Sequence, residues 1–227
     1  MALNGTKDSV LVFDMDGVLV DVSESYRASI IATVEHFTGA TISNDVIQRY
    51  KNAGGWNDDW ELSQQIVLDT AGLNVPFDQV ISVFQQRFLG ANNDGLILRE
   101  RWLPVEGLME RLATRHRLAI FTGRPRPEME ITLLRFIPGL SWAMTVTAAD
   151  VENAKPAPDG LRAIAQAHAG CTLTYVGDNV DDACSAGAAG VRFIGIADQT
   201  SVGLGELLRR EGAAAVFENI NEIEGVL

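Results

Sequence analysis

The chain of 227 residues carries a formal net charge of −12, and 47% of its residues are hydrophobic. This length suffices for one large or two modest domains with a packed core, which argues against a disordered chain. The acidic charge disfavours nucleic acid or an anionic membrane as partner, because phosphate groups are neutralised by clustered lysine and arginine. No signal peptide or membrane segment is apparent. We therefore expect a cytoplasmic protein, either a monomer or a homodimer.

The first predicted strand runs directly into two carboxylates. Residues 10–13 form a continuous apolar run, typical of a buried parallel strand, and Asp14-Met15-Asp16-Gly17 follows it. Ligands bind at the carboxyl ends of strands in open α/β sheets, so Asp14 and Asp16 lie where chemistry is expected. Two carboxylates this close in sequence repel each other and are costly to desolvate. A cation between them would relieve both costs.

Residues 22–101 follow a different pattern. Apolar residues recur at helical spacing, and glycines separate the runs. This predicts an acidic insert of four or five helices without a strand. Within it, Trp56, Asn57 and Trp60 follow a pair of glycines. This segment is either a loop that contacts the substrate or a helix N-terminus at Asn57 or Asp58 with packed tryptophans.

From Trp102 onward, helices alternate with short apolar strands. The predicted strands are residues 118–121, 144–146, 173–176, 193–196 and 215–217. The predicted helices are residues 106–116, 128–136, 159–168, 181–189 and 204–210. This alternation predicts an α/β fold with a doubly wound parallel sheet and helices on both faces. The predicted domains are a core of residues 1–20 and 101–227 and a helical domain of residues 21–100.

Three polar segments are predicted to lie at the same edge of the sheet as the first carboxylates. They are Thr122-Gly123-Arg124, Lys155-Pro156, and Gly177-Asp178-Asn179 with Asp181 and Asp182 just after it. Carboxylates around a hard cation suit Mg²⁺, while a hydroxyl, an ammonium and backbone amides can hold phosphoryl oxygens. A carboxylate can also act as a covalent nucleophile. The assembly therefore suits phosphoryl transfer.

In their order, these segments resemble the four motifs of the haloacid dehalogenase (HAD) superfamily of phosphohydrolases. Asp14-Met15-Asp16-Gly17-Val18 is similar to the first motif, DxDG[TV], and Thr122 to the second. Lys155-Pro156 is similar to the third, and Gly177-Asp178-Asn179 with Asp182 to the fourth. The resemblance covers residues 10 to about 190. It implies a Rossmann-like, HAD-like core with a helical cap of the subfamily IA type, which closes over the site and selects the substrate.

The resemblance also implies roles for the matching residues. Asp14 would be the nucleophile, and Asp16 the general acid and base. Thr122, Gly123 and Lys155 would bind the phosphate, with Lys155 balancing charge at the nucleophile. Mg²⁺ would be held by Asp14, the backbone carbonyl of Asp16, and Asp178, while Asp182 would lie behind these ligands or bind through water.

Two positions leave alternatives open. Asp182 matches the metal site better by spacing than Asp181, which could instead cap the following helix. Arg124 stands where the family often has a small or polar residue. Arg124 would either reach the substrate or be a solvated loop residue.

The expected function is a Mg²⁺-dependent phosphatase acting on a small phosphorylated metabolite through an aspartyl-phosphate. A phosphomutase of the β-phosphoglucomutase type is an alternative, although an acidic cap offers few cations for a second phosphate. A dehalogenase would have no use for Mg²⁺ or for an acid at Asp16. A binding or regulatory module without activity would keep buried carboxylates at a cost and without a purpose.

Overall fold

The computed structural model describes residues 8–199 and 201–227, which divide into two compact units. One unit is Val20–Trp102, and the other joins the residues up to Leu19 with Leu103–Leu227. The smaller unit is therefore inserted into the larger one along the chain. None of the helices in the described residues combines the length and the apolar composition that crossing a membrane requires.

Strands and helices are numbered here in chain order over the described residues. The strands are β1 (Ser9–Phe13), β2 (Val20–Asp21), β3 (Arg101–Trp102), β4 (Arg117–Phe121), β5 (Met144–Val146), β6 (Thr172–Gly177), β7 (Arg192–Ile196) and β8 (Ala215–Phe217). The helices are α1 (Tyr26–Thr38), α2 (Asn44–Ala53), α3 (Asp59–Ala71), α4 (Phe77–Phe88), α5 (Leu108–Arg115), α6 (Arg126–Phe136), α7 (Asp159–Ala167), α8 (Val180–Ala189) and α9 (Leu204–Arg210). Short 3₁₀ helices cover Leu96–Arg99, Ala148–Asp150 and Ile220–Val226.

The larger unit is built on a six-stranded sheet with the order β5-β4-β1-β6-β7-β8. Every neighbouring pair of strands in this sheet is parallel. The chain extends outward from β1 in both directions, and helices connect the strands. Helix α7 packs against β4 and β5, and α8 packs against β6 and β7. The predicted α/β fold with a doubly wound parallel sheet is confirmed.

Strand β1 lies at the centre of this sheet and is buried on both faces. Val10 and Val12 belong to a core cluster that includes Leu161 of α7. The alternate residues Leu11 and Phe13 are 1% and 0% exposed. Side chains alternate between the two faces of a strand, so both faces are covered. This explains why β1 reads as a continuous apolar run.

The register of the sheet aligns the strand ends that carry the candidate site. Phe13 of β1 pairs with Ile120 of β4 and with Val176 of β6. The amide of Asp14 then donates to the carbonyl oxygen of Val176 at 2.8 Å, which extends the pairing by one residue. Because the strands are parallel, the segments that follow them leave the sheet at the same edge.

The Val20–Trp102 unit is helical apart from one antiparallel pair, β2 with β3, at its two ends. Helix α1 packs against α3 and α4, and the rings of Tyr26 and Phe88 lie 4.0 Å apart between centroids. Arg101 and Asp21 form an ion pair at 2.6 Å across the strand pair. The predicted strandless insert of residues 22–101 overlaps this pair only at Arg101, because β2 ends at Asp21. A strand of two residues is too short to show an alternating pattern.

The segment between α2 and α3 forms a helix N-terminus. Asp58 caps α3, and its Oδ1 accepts hydrogen bonds from the amides of Trp60 and Glu61 at 2.8 and 3.2 Å. The ring of Trp56 packs edge-on against Tyr50, with 5.6 Å between centroids. The helix N-terminus at Asp58 with a packed tryptophan is therefore present, and contact of this segment with a substrate stays a prediction.

Candidate active site

A buried ammonium group joins two buried carboxylates near the ends of β1 and β6. The Nζ of Lys155 lies 3.1 Å from Oδ1 of Asp14 and donates to Oδ1 of Asp182 at 2.8 Å. The side chains of Lys155, Asp14 and Asp182 are 1%, 5% and 0% exposed. Charges this deeply buried are tolerated only when they are paired. The lysine and the two carboxylates therefore depend on one another.

Asp182 uses both of its carboxylate oxygens in hydrogen bonds. Its Oδ1 accepts from Lys155 and, at 2.7 Å, from the hydroxyl of Tyr175. Its Oδ2 accepts from the backbone amides of Asp178 and Asn179 at 3.0 and 3.2 Å. A carboxylate with this many donors has few lone pairs left for a direct ligand. This pattern favours the indirect role at a metal over direct ligation.

Asp14, Asp178 and Asp182 form an acidic cluster in which one oxygen of each carboxylate lies within 4.8 Å of the others. Among the described residues, Asp181 is outside this cluster, and it lies buried in the first turn of α8. The carboxylates of Asp14 and Asp178 are the kind of ligand that suits a hard divalent cation, and Asp182 lies beside them with its oxygens already hydrogen-bonded. The acidic cluster therefore stands where the sequence predicts a metal.

Two glycines allow the backbone to approach the acidic cluster. Gly17 has a φ of +72°, and a Cβ at this position would lie 1.9 Å from Oδ2 of Asp178. A Cβ on Gly177 would lie 2.5 Å from Oδ2 of Asp182. A larger residue at either position would displace one of these carboxylates. At Gly17 it would also be strained by the positive φ.

Burial and charge act in opposite directions on the ionisable groups of the site. Burial raises the pKa of Asp14 to about 7 against the lowering effect of Lys155, and Asp182 adds to the rise. Burial alone would lower the pKa of Lys155, but the carboxylates of Asp14 and Asp182 outweigh it and raise that pKa. The cluster therefore holds more negative charge than Lys155 balances, a condition that favours binding of a cation.

Arg124 is buried and pairs with Asp16. Its side chain is 0% exposed, and its Nε donates to Oδ1 of Asp16 at 2.6 Å. The interpretation of Arg124 as a solvated loop residue is therefore wrong. Its backbone amide donates to the hydroxyl oxygen of Thr122 at 3.2 Å, with Gly123 between them in the same turn. Binding of substrate or phosphate by Thr122, Gly123 and Arg124 stays a prediction.

The predicted site residues thus form two groups connected through the loop after β1. The first group is Asp14, Lys155, Asp178 and Asp182, which surround the acidic cluster. The second group is Asp16, Thr122, Gly123 and Arg124. The carboxylate of Asp16 faces Arg124 and is not part of the acidic cluster among the described residues. This separation agrees with different roles for the two carboxylates of the first motif.

Tyr175 joins the first group without having been identified from the sequence. It is 0% exposed, and its hydroxyl donates to Asp182 and accepts from Lys155 at 3.2 Å. Its ring lies 5.9 and 6.0 Å from those of Phe121 and Phe193. Burial raises the pKa of Tyr175 well above its ordinary value, so its hydroxyl keeps its proton. The sequence offers one sign of this role: Tyr175 lies in a predicted buried strand, and a buried tyrosine hydroxyl usually has a hydrogen-bond partner.

Tyr175→Phe is expected to lower the free energy of unfolding by about 1–3 kcal/mol, because a buried carboxylate loses one of its donors. Thermal unfolding in metal-free buffer measures this loss. Tyr50→Phe is the matched control, since the Tyr50 hydroxyl donates to Asp69 at an exposed site. The control is expected to change stability by less than about 0.5 kcal/mol. Equal losses in both variants would show that burial of the Tyr175 hydrogen bond is unimportant.

Comparison with known families identifies the chain. A family model described as haloacid dehalogenase-like hydrolase matches residues 9–190, which include every predicted site residue. The chain belongs to the haloacid dehalogenase-like hydrolase family. The resemblance seen in the four motifs is thereby confirmed, and the chain is a hydrolase by family.

Individual relatives extend this picture. An imidazoleglycerol-phosphate dehydratase from Phytophthora nicotianae is 32% identical over 227 residues, covering 91% of this chain and 49% of that protein. The chain therefore spans about half the length of this relative. Pyrophosphatase PpaX from Bacillus velezensis is 25% identical over 193 residues and 83% of each protein. A solved HAD-superfamily hydrolase of subfamily IA, variant 1, from Geobacter sulfurreducens shares the fold with a TM-score of 0.65, at 23% identity over 100% of both chains.

Proposed function

We propose that this HAD-like hydrolase is a Mg²⁺-dependent phosphatase that hydrolyses a small phosphorylated metabolite through an aspartyl-phosphate. The proposal is carried by the buried contact of Lys155 with Asp14 and Asp182, beside Asp178. A carboxylate held next to an ammonium and a cation site suits attack on a phosphoryl group, whose oxygens need positive charge around them. The pyrophosphatase relative supports a substrate that contains phosphate.

Mg²⁺ fits the residues of the acidic cluster. This ion usually binds proteins through one or two carboxylates and keeps several waters. Asp14 and Asp178 would supply the carboxylates, and Asp16 its backbone carbonyl. Asp182 would support these ligands through its hydrogen bonds to Lys155 and to the amide of Asp178. Bound Mg²⁺ would neutralise charge on the phosphoryl oxygens and on the cluster.

In the first step, a carboxylate oxygen of Asp14 bonds to phosphorus while the bond from phosphorus to the leaving oxygen breaks. Asp16 donates a proton to that oxygen, which leaves as an alcohol. Lys155 orients the nucleophile through Oδ1 of Asp14. The Thr122 hydroxyl and the Gly123 amide hold phosphoryl oxygens. The product of this step is an acyl phosphate on Asp14.

In the second step, a water molecule attacks the phosphorus of this acyl phosphate. The new oxygen–phosphorus bond forms as the bond to the Asp14 carboxylate breaks, and inorganic phosphate leaves. Asp16 lost its proton in the first step, so it now accepts one from the water. The same carboxylate therefore acts first as an acid and then as a base, and the site returns to its starting state.

A panel of phosphate monoesters and pyrophosphate tests this function. Phosphate release is measured in MgCl₂ and in EDTA, and we expect Mg²⁺-dependent release from at least one compound. Transfer of the phosphoryl group to a second sugar phosphate would instead identify a mutase. Halide release from a haloacid would identify a dehalogenase. No turnover of any compound, with a melting temperature unaffected by Mg²⁺, would favour a module without activity.

Mg²⁺ binding is expected to weaken as the pH falls. In the metal-free protein, burial raises the pKa of Asp14 to about 7, and this carboxyl must lose its proton to bind a cation. The apparent Kd is therefore expected to rise toward about tenfold per pH unit below about pH 7 and to level off above about pH 8. Calorimetric titrations in buffers with different ionisation enthalpies would also reveal the released proton. A Kd that is constant over this range would contradict the prediction.

A further inference from the structure

Arg124 is a fully buried arginine beside the proposed acid and base. Its side chain is 0% exposed, whereas the side chain of Asp16 is 30% exposed. A buried guanidinium is costly unless its nitrogens have partners. The burial of the Arg124 guanidinium beside Asp16 therefore calls for a functional explanation.

Two nitrogens of Arg124 contact the same oxygen of Asp16. Nε lies 2.6 Å and Nη2 lies 2.5 Å from Oδ1. Arginine commonly pairs with both oxygens of a carboxylate, one nitrogen to each. Among residues 8–199 and 201–227, no hydrogen bond to Oδ2 of Asp16 is found. The contact therefore fixes the orientation of this carboxylate and leaves Oδ2 for another group.

Arg124 is itself held in place from two directions. Its Nη1 donates to the hydroxyl oxygen of Thr132 in α6 at 2.8 Å, and Thr132 is 1% exposed. Its backbone amide donates to the hydroxyl oxygen of Thr122 at the end of β4. The guanidinium thus connects the partly exposed carboxylate of Asp16 to α6, while the backbone of Arg124 is held at the end of β4.

We propose that Arg124 is a positioning residue that aims Oδ2 of Asp16 at the leaving oxygen of the substrate. This inference rests on the proposed phosphatase function. A carboxylate that transfers a proton must lie within hydrogen-bond reach of the receiving atom. A displacement of about 1 Å can cost a reaction about a hundredfold. By holding Oδ1, Arg124 prevents the side chain of Asp16 from rotating away from the reacting group.

Arg124→Lys tests this role, because lysine keeps the positive charge but lacks the fork that holds one oxygen with two nitrogens. We expect kcat/KM to fall about 10–100-fold for alkyl phosphates, whose leaving oxygen needs a proton. For 4-nitrophenyl phosphate, which leaves as a stable anion, we expect a fall of less than about threefold. Asp16 also assists hydrolysis of the acyl phosphate, so this second step should become slower than the first in Arg124→Lys. A burst of nitrophenol should therefore precede steady turnover of 4-nitrophenyl phosphate.

Two further variants separate positioning from general damage. Arg126→Gln removes a nearby arginine that is 40% exposed and pairs with Asp150 at 2.6 Å, and it should leave the alkyl-to-nitrophenyl ratio unchanged. Thr132→Val removes the anchor of Arg124 and should change the ratio in the same direction as Arg124→Lys, but by less. Equal losses of kcat/KM on both types of substrate in Arg124→Lys would overturn the proposal. A change in the alkyl-to-nitrophenyl ratio in Arg126→Gln as large as that in Arg124→Lys would also overturn it.

A double-variant cycle tests the contact without any turnover. The melting temperatures of Arg124→Lys, Asp16→Asn and the double variant should show effects that are less than additive. Strictly additive effects would overturn the inferred pairing. A wild-type protein that hydrolyses no compound of the panel would instead refute the proposed function, while the cycle would still decide whether Arg124 holds Asp16.

Discussion

Asp14→Asn is expected to abolish phosphate release while leaving the fold intact. The substitution keeps the shape of the side chain but removes the charged oxygen that bonds to phosphorus. Loss of a group that forms a covalent bond to the substrate is expected to lower kcat on the order of 10⁴-fold or more. Phosphate release with the best substrate of the panel, at saturating Mg²⁺, measures this loss.

The stability of this variant distinguishes loss of chemistry from loss of fold. Burial raises the pKa of Asp14, which shows that its charged form is held at a cost in the metal-free protein. Lys155 also retains Asp182 at 2.8 Å and the hydroxyl of Tyr175 at 3.2 Å. In EDTA, the melting temperature of Asp14→Asn is therefore expected to equal or exceed that of the wild type.

The covalent intermediate can be detected directly. Acid quenching during turnover of a phosphate-labelled substrate should leave label on the wild-type chain, sensitive to hydroxylamine as an acyl phosphate is, and none on Asp14→Asn. Asp8→Asn is the matched control, because Asp8 is exposed and precedes the opposite end of β1. This control should be labelled normally. Activity of Asp14→Asn near the wild-type level would refute the nucleophile assignment.

Side-chain patterns in the sequence were sufficient to predict the parallel sheet. Strands β5 and β8 occupy the predicted residues 144–146 and 215–217, although they are the edge strands of the sheet and are largely half-buried. Strands β4 and β6 begin one residue earlier than predicted, at Arg117 and Thr172. Backbone hydrogen bonds define a strand end, and they tolerate a polar side chain that an apolar pattern excludes.

Helix ends deviated from prediction where backbone conformation decides them. Helix α5 begins at Leu108 rather than Glu106, because Gly107 takes a left-handed conformation with a φ of 79°. Helix α6 begins at Arg126 rather than Glu128, since a proline is tolerated in the first turn. Neither effect appears in the spacing of apolar residues.

The motifs predict which residues lie at the strand ends that meet, but they do not reveal which atoms are in contact there. Arg124 and Asp16 lie 108 residues apart, so their pairing depends on the relative placement of β1 and β4. Arginine is usually exposed, so the residue type alone does not predict that Arg124 is buried against Asp16. The carboxylate of Asp182 also accepts a hydrogen bond from the hydroxyl of Tyr175, a residue that belongs to none of the motifs. Such contacts follow from tertiary packing and not from local pattern.

Lys155→Met is expected to destabilise the metal-free protein by about 3–5 kcal/mol at about pH 8, the range for removing one partner of a buried ion pair. Methionine fills a similar volume, so the packing between the rings of Phe121 and Tyr175 is largely kept. Asp14 and Asp182, whose side chains are 5% and 0% exposed, then lose the cation that compensates them. Chemical unfolding in EDTA measures this change.

Lys51→Met provides the comparison for this effect. Lys51 pairs with Asp59 at 2.6 Å and also donates to the carbonyl oxygen of Trp56, but its side chain and that of Asp59 are 18% and 15% exposed. The side chain of Asp59 that remains is more exposed than those of Asp14 and Asp182. The control is therefore expected to cost about 1 kcal/mol or less. A loss of this small size in Lys155→Met as well would show that burial of the ion pair does not determine its contribution.

The dependence on pH and on Mg²⁺ tests whether the stability lost in Lys155→Met is electrostatic in origin. Lys155 lowers the pKa of Asp14, so its removal should raise that pKa further above its unfolded value. A carboxyl with a raised pKa contributes stability that is present at low pH and is lost as the pH rises through the folded pKa. The difference in the free energy of unfolding between Lys155→Met and the wild type should therefore shrink at about pH 5, where Asp14 is neutral.

Mg²⁺ should also restore part of the stability lost in Lys155→Met, since it binds only the folded cluster. A loss that changes with neither pH nor Mg²⁺ would mean that Lys155 acts through packing and not through its charge.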